Sequence, residues 1–283
     1  MRNHLHRFTN HLVMALAIAL SAPFLSAAQI PDKTVVLTFD DAVKTQITFV
    51  APLLKQLGFH ATFFISQKWM EDKANFMTWQ DAAEIHSMGF EIGNHTWTHS
   101  GFETPEKAAQ LAGELDQVDR ELARVGIPKP VSFAWPGDNF GPEAIEVLRR
   151  HGIRFARRGM QPEVPYGEIK VGPALDVTRN APLLIPTTGD SYPGWTLEHF
   201  KKVVAEARNG KIAVLQFHGV PDVAHPWVNT PQDLFRSYML YLKENGYHTI
   251  AIQDLAQYYD WNHLPEDSLA KQRVIANPPK RKP

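Results

Sequence analysis

Short apolar runs alternate along the chain with longer segments in which apolar residues recur at helical spacing. Residues 35–39, 61–65, 90–93, 131–135, 153–156, 212–217 and 249–252 are brief, mostly apolar and bounded by polar or turn-forming residues. They predict buried strands. Segments 47–57, 78–89, 104–125, 141–151, 195–207 and 232–245 carry the helical period, and 254–259 predicts a short final helix. Gly58, Gly89 and Gly126 stand where three of these helices should stop. Thr78-Trp-Gln-Asp81 reads as a capping box. Thr104-Pro-Glu and Gly141-Pro-Glu place proline at a first helical position and an acid in the first turn. Residues 157–194, rich in Pro and Gly, show no clear period beyond a possible strand at 183–185.

Strand–helix alternation repeated six or seven times implies a parallel sheet, because parallel neighbours need a crossover. Three groups of polar residues follow predicted strands directly: Asp40-Asp41, His95 and His218. A closed (β/α) barrel collects its reactive groups at strand C-terminal ends, so this coincidence favours a barrel-like α/β fold with one mouth. An open doubly wound sheet is the alternative.

Composition narrows the class. Residues 1–28 begin with Arg2 and Arg7, continue through an apolar run of about 14 residues and end in Ser26-Ala27-Ala28. That layout predicts a signal peptide cleaved near Ala28 and an exported protein, periplasmic or secreted. The run is short of the roughly 20 residues needed to span a bilayer, and no second stretch suggests a transmembrane anchor in the mature chain. Residues 29–262 then form one catalytic domain, and 263–283, with several Pro, Lys and Arg, read as a flexible tail. The 29 basic and 30 acidic residues leave no basic excess, which argues against a nucleic-acid partner. The chain has no Cys, so stability must come from core size rather than disulfides.

The candidate chemistry lies in three motifs. Asp40 and Asp41 close the first strand; adjacent carboxylates resist joint burial unless one binds a cation, although solvated turn acids or a helix N-cap would give the same pair. His95 and His99 in Asn94-His-Thr-Trp-Thr-His99 would share a face on a helical turn, a spacing suited to a metal. His218 ends Val214-Leu-Gln-Phe-His218. Two His and one Asp leave coordination positions open, as in catalytic sites. His218 near a carboxylate would suit a general acid, with Asp176 and Asp222 as candidate partners. Trp69, Trp97, Trp135, Tyr192, Trp195 and Trp227 could stack on sugar rings; Trp97 and Trp135 lie inside motifs. His225 and Trp227, just after the His218 strand, could form a cleft wall.

Thr38-Phe-Asp-Asp41, His95-Thr-Trp-Thr-His99 and Leu215-Gln-Phe-His218 resemble the motifs of the polysaccharide deacetylases, carbohydrate esterase family 4 with its NodB-homology domain. The resemblance spans residues 33–260. It implies a distorted (β/α)7 barrel and removal of acetyl groups from N-acetylated glycans. It further implies Asp40 as general base, Asp41, His95 and His99 as ligands to a divalent metal, and His218 as general acid. Zinc is the first expectation for the metal, with cobalt, nickel or another divalent ion as substitutes. Ser132-Phe-Ala-Trp-Pro-Gly137 resembles the third motif with two departures. Ala134 stands where many members have the Arg that contacts the base, so Arg154, Arg157 or Arg179 would have to replace it. Gly137 stands for a Tyr whose backbone N–H helps hold the oxyanion, a role that a glycine N–H can keep. The fourth motif is only weakly matched, by Asp190 and Trp195. The same residues would serve an O-acetyl xylan esterase, and a glycan-binding protein with a degenerate site is the non-enzymatic alternative.

Overall fold

The computed structural model describes residues 28–276; the expected leader, up to Ala27, and residues 277–283 lie outside them. Eight strands form one sheet: β1 Thr34–Phe39, β2 Thr62–Ile65, β3 Glu91–Asn94, β4 Ser132–Ala134, β5 Phe155–Arg157, β6 Gly189–Asp190, β7 Ala213–Phe217 and β8 His248–Ile250. Six α-helices alternate with them: α1 Ala51–Leu57, α2 Trp79–Ser87, α3 Pro105–Arg124, α4 Pro142–His151, α5 Leu197–Val204 and α6 Gln232–Glu244. Every strand pairing is parallel, in the order β5-β4-β3-β2-β1-β7-β6. β8 pairs with the first half of β1, at Thr34–Val36, and β2 takes the second half, at Thr38 and Phe39.

The sheet curls. Ile185 pairs with Arg157 of β5, and β6, a few residues later, pairs with β7. A short bent segment thus spans the gap between the sheet's two edges, giving a distorted (β/α)7 barrel instead of an open doubly wound sheet. Register levels the strand ends that matter: Phe39 lies opposite both Phe63 and Phe217. Asp40 and His218 therefore leave the sheet at the same height, and the Asp40 N–H donates to the Phe217 carbonyl at 3.0 Å.

Alternation along the strands sorts the side chains into two layers. Val35, Leu37 and Phe39 of β1, with Ala213, Leu215 and Phe217 of β7, pack outward against helical residues such as Leu54, Phe235 and Met239. Phe39 stacks between Phe63 and Phe217 at 4.9 and 5.5 Å. Burying each such ring contributes about 1.5–3 kcal/mol. Val36, Phe64, Phe155 and Val214 fill the barrel interior. The same inward register, continued toward the mouth, carries Asp40, Arg157, Gln216 and His218.

Local signals explain most boundaries. The Thr78–Asp81 capping box forms in both directions. Thr104 caps α3 through the Lys107 N–H, and Gly58 and Gly152 end their helices in the left-handed conformation. Three expectations are corrected. The helix predicted at 47–57 opens with a π-helical turn, Gln46–Val50, before α1. The strand expected at 183–185 is a 3₁₀ turn, Pro182–Leu184, with only Ile185 pairing, because proline cannot donate to a ladder. The final helix is a 3₁₀ segment, Ile252–Gln257.

The expected flexible tail is docked as far as Ala276. Val274 pairs with Phe140 and is buried, and Arg273 grips the Glu103 carbonyl and the Glu143 carboxylate. The charge and proline of that stretch hid its one well-placed valine. Among the described residues no helix is long and apolar enough to cross a membrane.

Candidate active site

The barrel mouth opens on a cleft of about 190 Å³ lined by Asp40, Asp41, Trp69, His95, His99, Trp135, Gly137, Asp138, Tyr166, Gln216, His218, His225, Trp227 and Val228. Asp40 continues the inward register of β1. Asp41 and Ala42 then take positive φ angles of 72° and 56°, left-handed values that cost a non-glycine residue roughly 1–2 kcal/mol. This turn swings the second carboxylate round to the same mouth. Gln46, fully buried, ties the region together: its amide donates to the Asp40 carbonyl at 2.5 Å and to the His218 carbonyl at 3.3 Å.

Asp41, His95 and His99 bring one ligand atom each to within 4.8 Å of one another. Both imidazole Nε2 atoms face Asp41 Oδ1, at 3.4 Å from His95 and 3.3 Å from His99. The expected helical turn is absent. The two histidines sit on a loop in which Thr96 and His99 have positive φ, and the loop closes on itself through the His99 N–H to Thr96 Oγ1 at 3.0 Å. His95 Nδ1 lies 2.8 Å from the Ala134 carbonyl. Donation of that N–H leaves the Nε2 lone pair aimed inward, the orientation a metal ligand needs.

Electrostatics in the ion-free site agree with that donor set at Asp41 and His99. Burial opposes the Asp41 charge, but the surrounding histidines outweigh it and hold the carboxyl far below the usual range. Burial pushes His99 down to about 4, so it is a neutral donor at pH 7. Burial also works against charge on His95, but its hydrogen bond to Asp41 and the Asp40 charge raise it overall. Two imidazoles and a carboxylate with open positions fit a catalytic divalent ion such as Zn²⁺, Co²⁺ or Ni²⁺.

Asp40 is 2% exposed, and its Oδ2 accepts from Arg157 Nη2 at 2.5 Å. The other Arg157 nitrogen, Nη1, donates to Gln216 Oε1. Of the three arginines considered as replacements for the one absent at Ala134, Arg157 is thus the one that reaches the carboxylate. It does so from the inward register of β5, the neighbouring strand. Arg154 instead lies over the Trp261 ring at 4.1 Å.

His218 Nε2 lies 4.0 Å from Asp41 Oδ2. Neither carboxylate proposed as its partner serves. Asp176 folds into a local turn with Thr178 and Asn180, and Asp222 faces His225. Asp190, buried on β6, pairs with Gln216 of the cleft and is, with Asp41 and Asp138, one of three acids that feel the His218 charge. Burial raises its carboxyl despite that neighbour. The weak fourth-motif match therefore falls beside the site.

Gly137 sits in the Pro136–Asp138 turn with φ 56°, a conformation in which the family's tyrosine would be strained. Trp135 lines the cleft floor but is otherwise core: it is 1% exposed, and its indole N–H donates to the Leu183 carbonyl at 3.2 Å. Trp227 stands exposed at the rim, and His225 is buried beneath it. Trp97 does not reach the cleft; it stacks on Trp79 at 6.2 Å, on the outer side of the loop.

The sequence reading missed Asp138, Tyr166 and Gln216. Gln216 was recoverable as the inward position two before His218. Asp138 follows Gly137, also at positive φ, and burial with the nearby Asp190 pushes its carboxyl up to about 7. A Cβ on Gly159 would fall 2.2 Å from that carboxylate, so only glycine fits there.

A family profile described as polysaccharide deacetylase matches residues 27–156. The chain is 32% identical over 104 residues to a chitin deacetylase of Pestalotiopsis sp, covering 36% of this chain and 33% of the relative. It is 31% identical over 164 residues to the poly-β-1,6-N-acetyl-D-glucosamine N-deacetylase of Escherichia coli K12, covering 44% and 24%. These matches thus span a quarter to a third of the relatives' lengths. The crystal structure of a putative polysaccharide deacetylase from Mycobacterium smegmatis superposes with a TM-score of 0.63 at 15% identity, covering 88% of this chain and all of that one, a likeness of fold. Matched profile, barrel and motif residues gathered at one mouth lead to the same place: residues 27–156 match the polysaccharide deacetylase family, and the barrel shares its fold with a solved structure described as a member of it.

Proposed function

We propose that the protein is a metal-dependent deacetylase that hydrolyses the N-acetyl groups of glycans and releases acetate. The observation that carries this reading is the convergence of Asp41, His95 and His99 on one point, with the Arg157-held Asp40 and His218 lining the same cleft. A divalent ion held by those three residues supplies Lewis acidity, polarising the acetyl carbonyl and bringing the pKa of water toward about 7.

The chain's own residues supply the rest. Asp40, with Oδ2 held by Arg157 and Oδ1 buried without a hydrogen-bond partner among the described residues, takes a proton from the attacking water. The Gly137 N–H stabilises the oxyanion as the carbonyl carbon becomes tetrahedral. His218 gives a proton to the amide nitrogen as the C–N bond breaks, and acetate and the free amine leave. Trp69 and Trp227 at the cleft offer flat apolar faces to the sugar rings flanking the reacting one.

The substrate class is read from acetate released on chitooligosaccharides, peptidoglycan and acetylated xylan. Release from an N-acetylated glycan supports the proposal. Release from acetylxylan alone would make the protein an ester hydrolase with the same site, and release from none would favour glycan binding without turnover. Export belongs to the same proposal and rests on the basic, apolar and small-residue order of the leader. The mature protein is then expected to begin at Gln29. N-terminal sequencing that finds Met1 in the exported fraction would refute it.

A further inference from the structure

His225 is not part of the family motifs, yet it lies against a ligand carboxylate. The two oxygens of Asp41 divide their neighbours. Oδ1 faces His95 and His99, and Oδ2 faces His225 Nδ1 at 3.6 Å and His218 Nε2 at 4.0 Å. His225 Nδ1 also lies 3.5 Å from Asp222 Oδ2. The imidazole therefore stands between two buried carboxylates, one of them assigned to the metal.

Its placement is built, not incidental. Asp222 is 1% exposed; its Oδ1 accepts from the His225 backbone N–H at 2.7 Å, and its own backbone N–H donates to Asn229 Oδ1 at 2.7 Å. The ring is held by Trp69 at 4.6 Å, Trp227 at 5.2 Å and Phe76 at 5.3 Å. These contacts fix the ring plane and aim Nδ1 at the carboxylates. Among the described residues, the ligand atoms that converge within 4.8 Å are those of Asp41, His95 and His99, and His225 faces the other oxygen of Asp41.

We propose that His225, braced by Asp222, is a positioning residue for the metal centre: its Nδ1 faces Asp41 Oδ2 at 3.6 Å, and a hydrogen bond closed across that gap would hold this oxygen and leave Oδ1 as the single carboxylate oxygen for the ion. Partners of this kind fix ligand geometry, and their loss typically weakens metal affinity by about 10–100-fold. The inference rests on the metal-dependent reading above and is tested without substrate.

The test is competition of Zn²⁺ and Co²⁺ against a chromophoric chelator, with the visible spectrum of the Co²⁺ protein recorded alongside. His225→Phe keeps the aromatic packing and removes the N–H, and His225→Ala checks it should the larger ring not fit. Either should lose about 10–100-fold in affinity. His225→Asn, whose amide nitrogen can stand near the Nδ1 position, should recover most of that loss and give Co²⁺ bands at the wild-type positions. Wild-type affinity in both Phe and Ala variants would overturn the assignment while leaving the metal centre standing. Displaced Co²⁺ bands in His225→Asn would overturn it in favour of direct ligation. Wild-type protein that takes up no ion would overturn the metal centre and this inference with it.

Discussion

At the scale of single residues, the buried pair of Asp40 and Arg157 distinguishes this chain from the common third-motif pattern. The guanidinium spans Asp40 and Gln216, a geometry that a planar fork can satisfy and a single ammonium cannot. Arg157→Lys is therefore expected to lower kcat by about 10–100-fold through misplacement of the base while metal content stays constant. Unchanged kcat would mean that Arg157 serves only the fold. His218 is tested by leaving group. His218→Ala should cut amide hydrolysis by about 10²–10⁴-fold but an activated aryl acetate far less, because that leaving group needs no proton. Equal losses on both substrates would reassign His218 to positioning. Asp40, Asp41 and His218 were legible in sequence because each follows a strongly apolar strand. Trp97 misled because it lies between the two histidines of a motif, yet the left-handed residues around it turn its ring outward onto Trp79.

At the scale of elements, strand register does most of the positioning. β1 and β7 run level over five pairs, which places the proposed base and acid, Asp40 and His218, at one height, and Gln46 clamps their ends together. Deeper in the barrel, Glu91 of β3 accepts hydrogen bonds from Thr62 of β2, from Ser132 of β4 and from the Gln253 N–H. Burial, partly offset by those donors, raises its carboxyl. A carboxyl raised in the folded state binds its proton more tightly there than in the unfolded chain. Its contribution to stability is thus present at low pH and is lost as pH rises above the unfolded value near 4.5 and through the higher folded one. Relative to wild type, Glu91→Gln should gain stability as pH rises from 4 to 8, measured by urea unfolding. A difference that does not change with pH would contradict this account of Glu91.

At the scale of the whole molecule, most helices and strands follow from apolar period and capping residues, and alternation alone pointed to a parallel sheet with one reactive mouth. What stayed hidden depends on contacts distant in sequence. The gap between the sheet edges is spanned by residues 185–190, inside the stretch whose Pro and Gly content obscures any period. The segment after His263 docks through Val274 and Arg273, and the Ala276 N–H donates to Asn139 at 2.7 Å, beside the turn that carries Gly137. Asp190 lies beside Gln216 of the cleft only because β6 pairs with β7. No local pattern announces such pairings.

The central claim is that a metal held by Asp41, His95 and His99 and a base supplied by Asp40 deacetylate a glycan. Its most direct test is acetate release from chitooligosaccharides before and after exhaustive chelation, with Asp40→Asn beside the native protein. Release should stop when the ion is removed and return with Zn²⁺ or Co²⁺, while Asp40→Asn should retain the ion and stay inactive. Undiminished release after chelation, or an Asp40→Asn protein as active as the native one, would contradict the account.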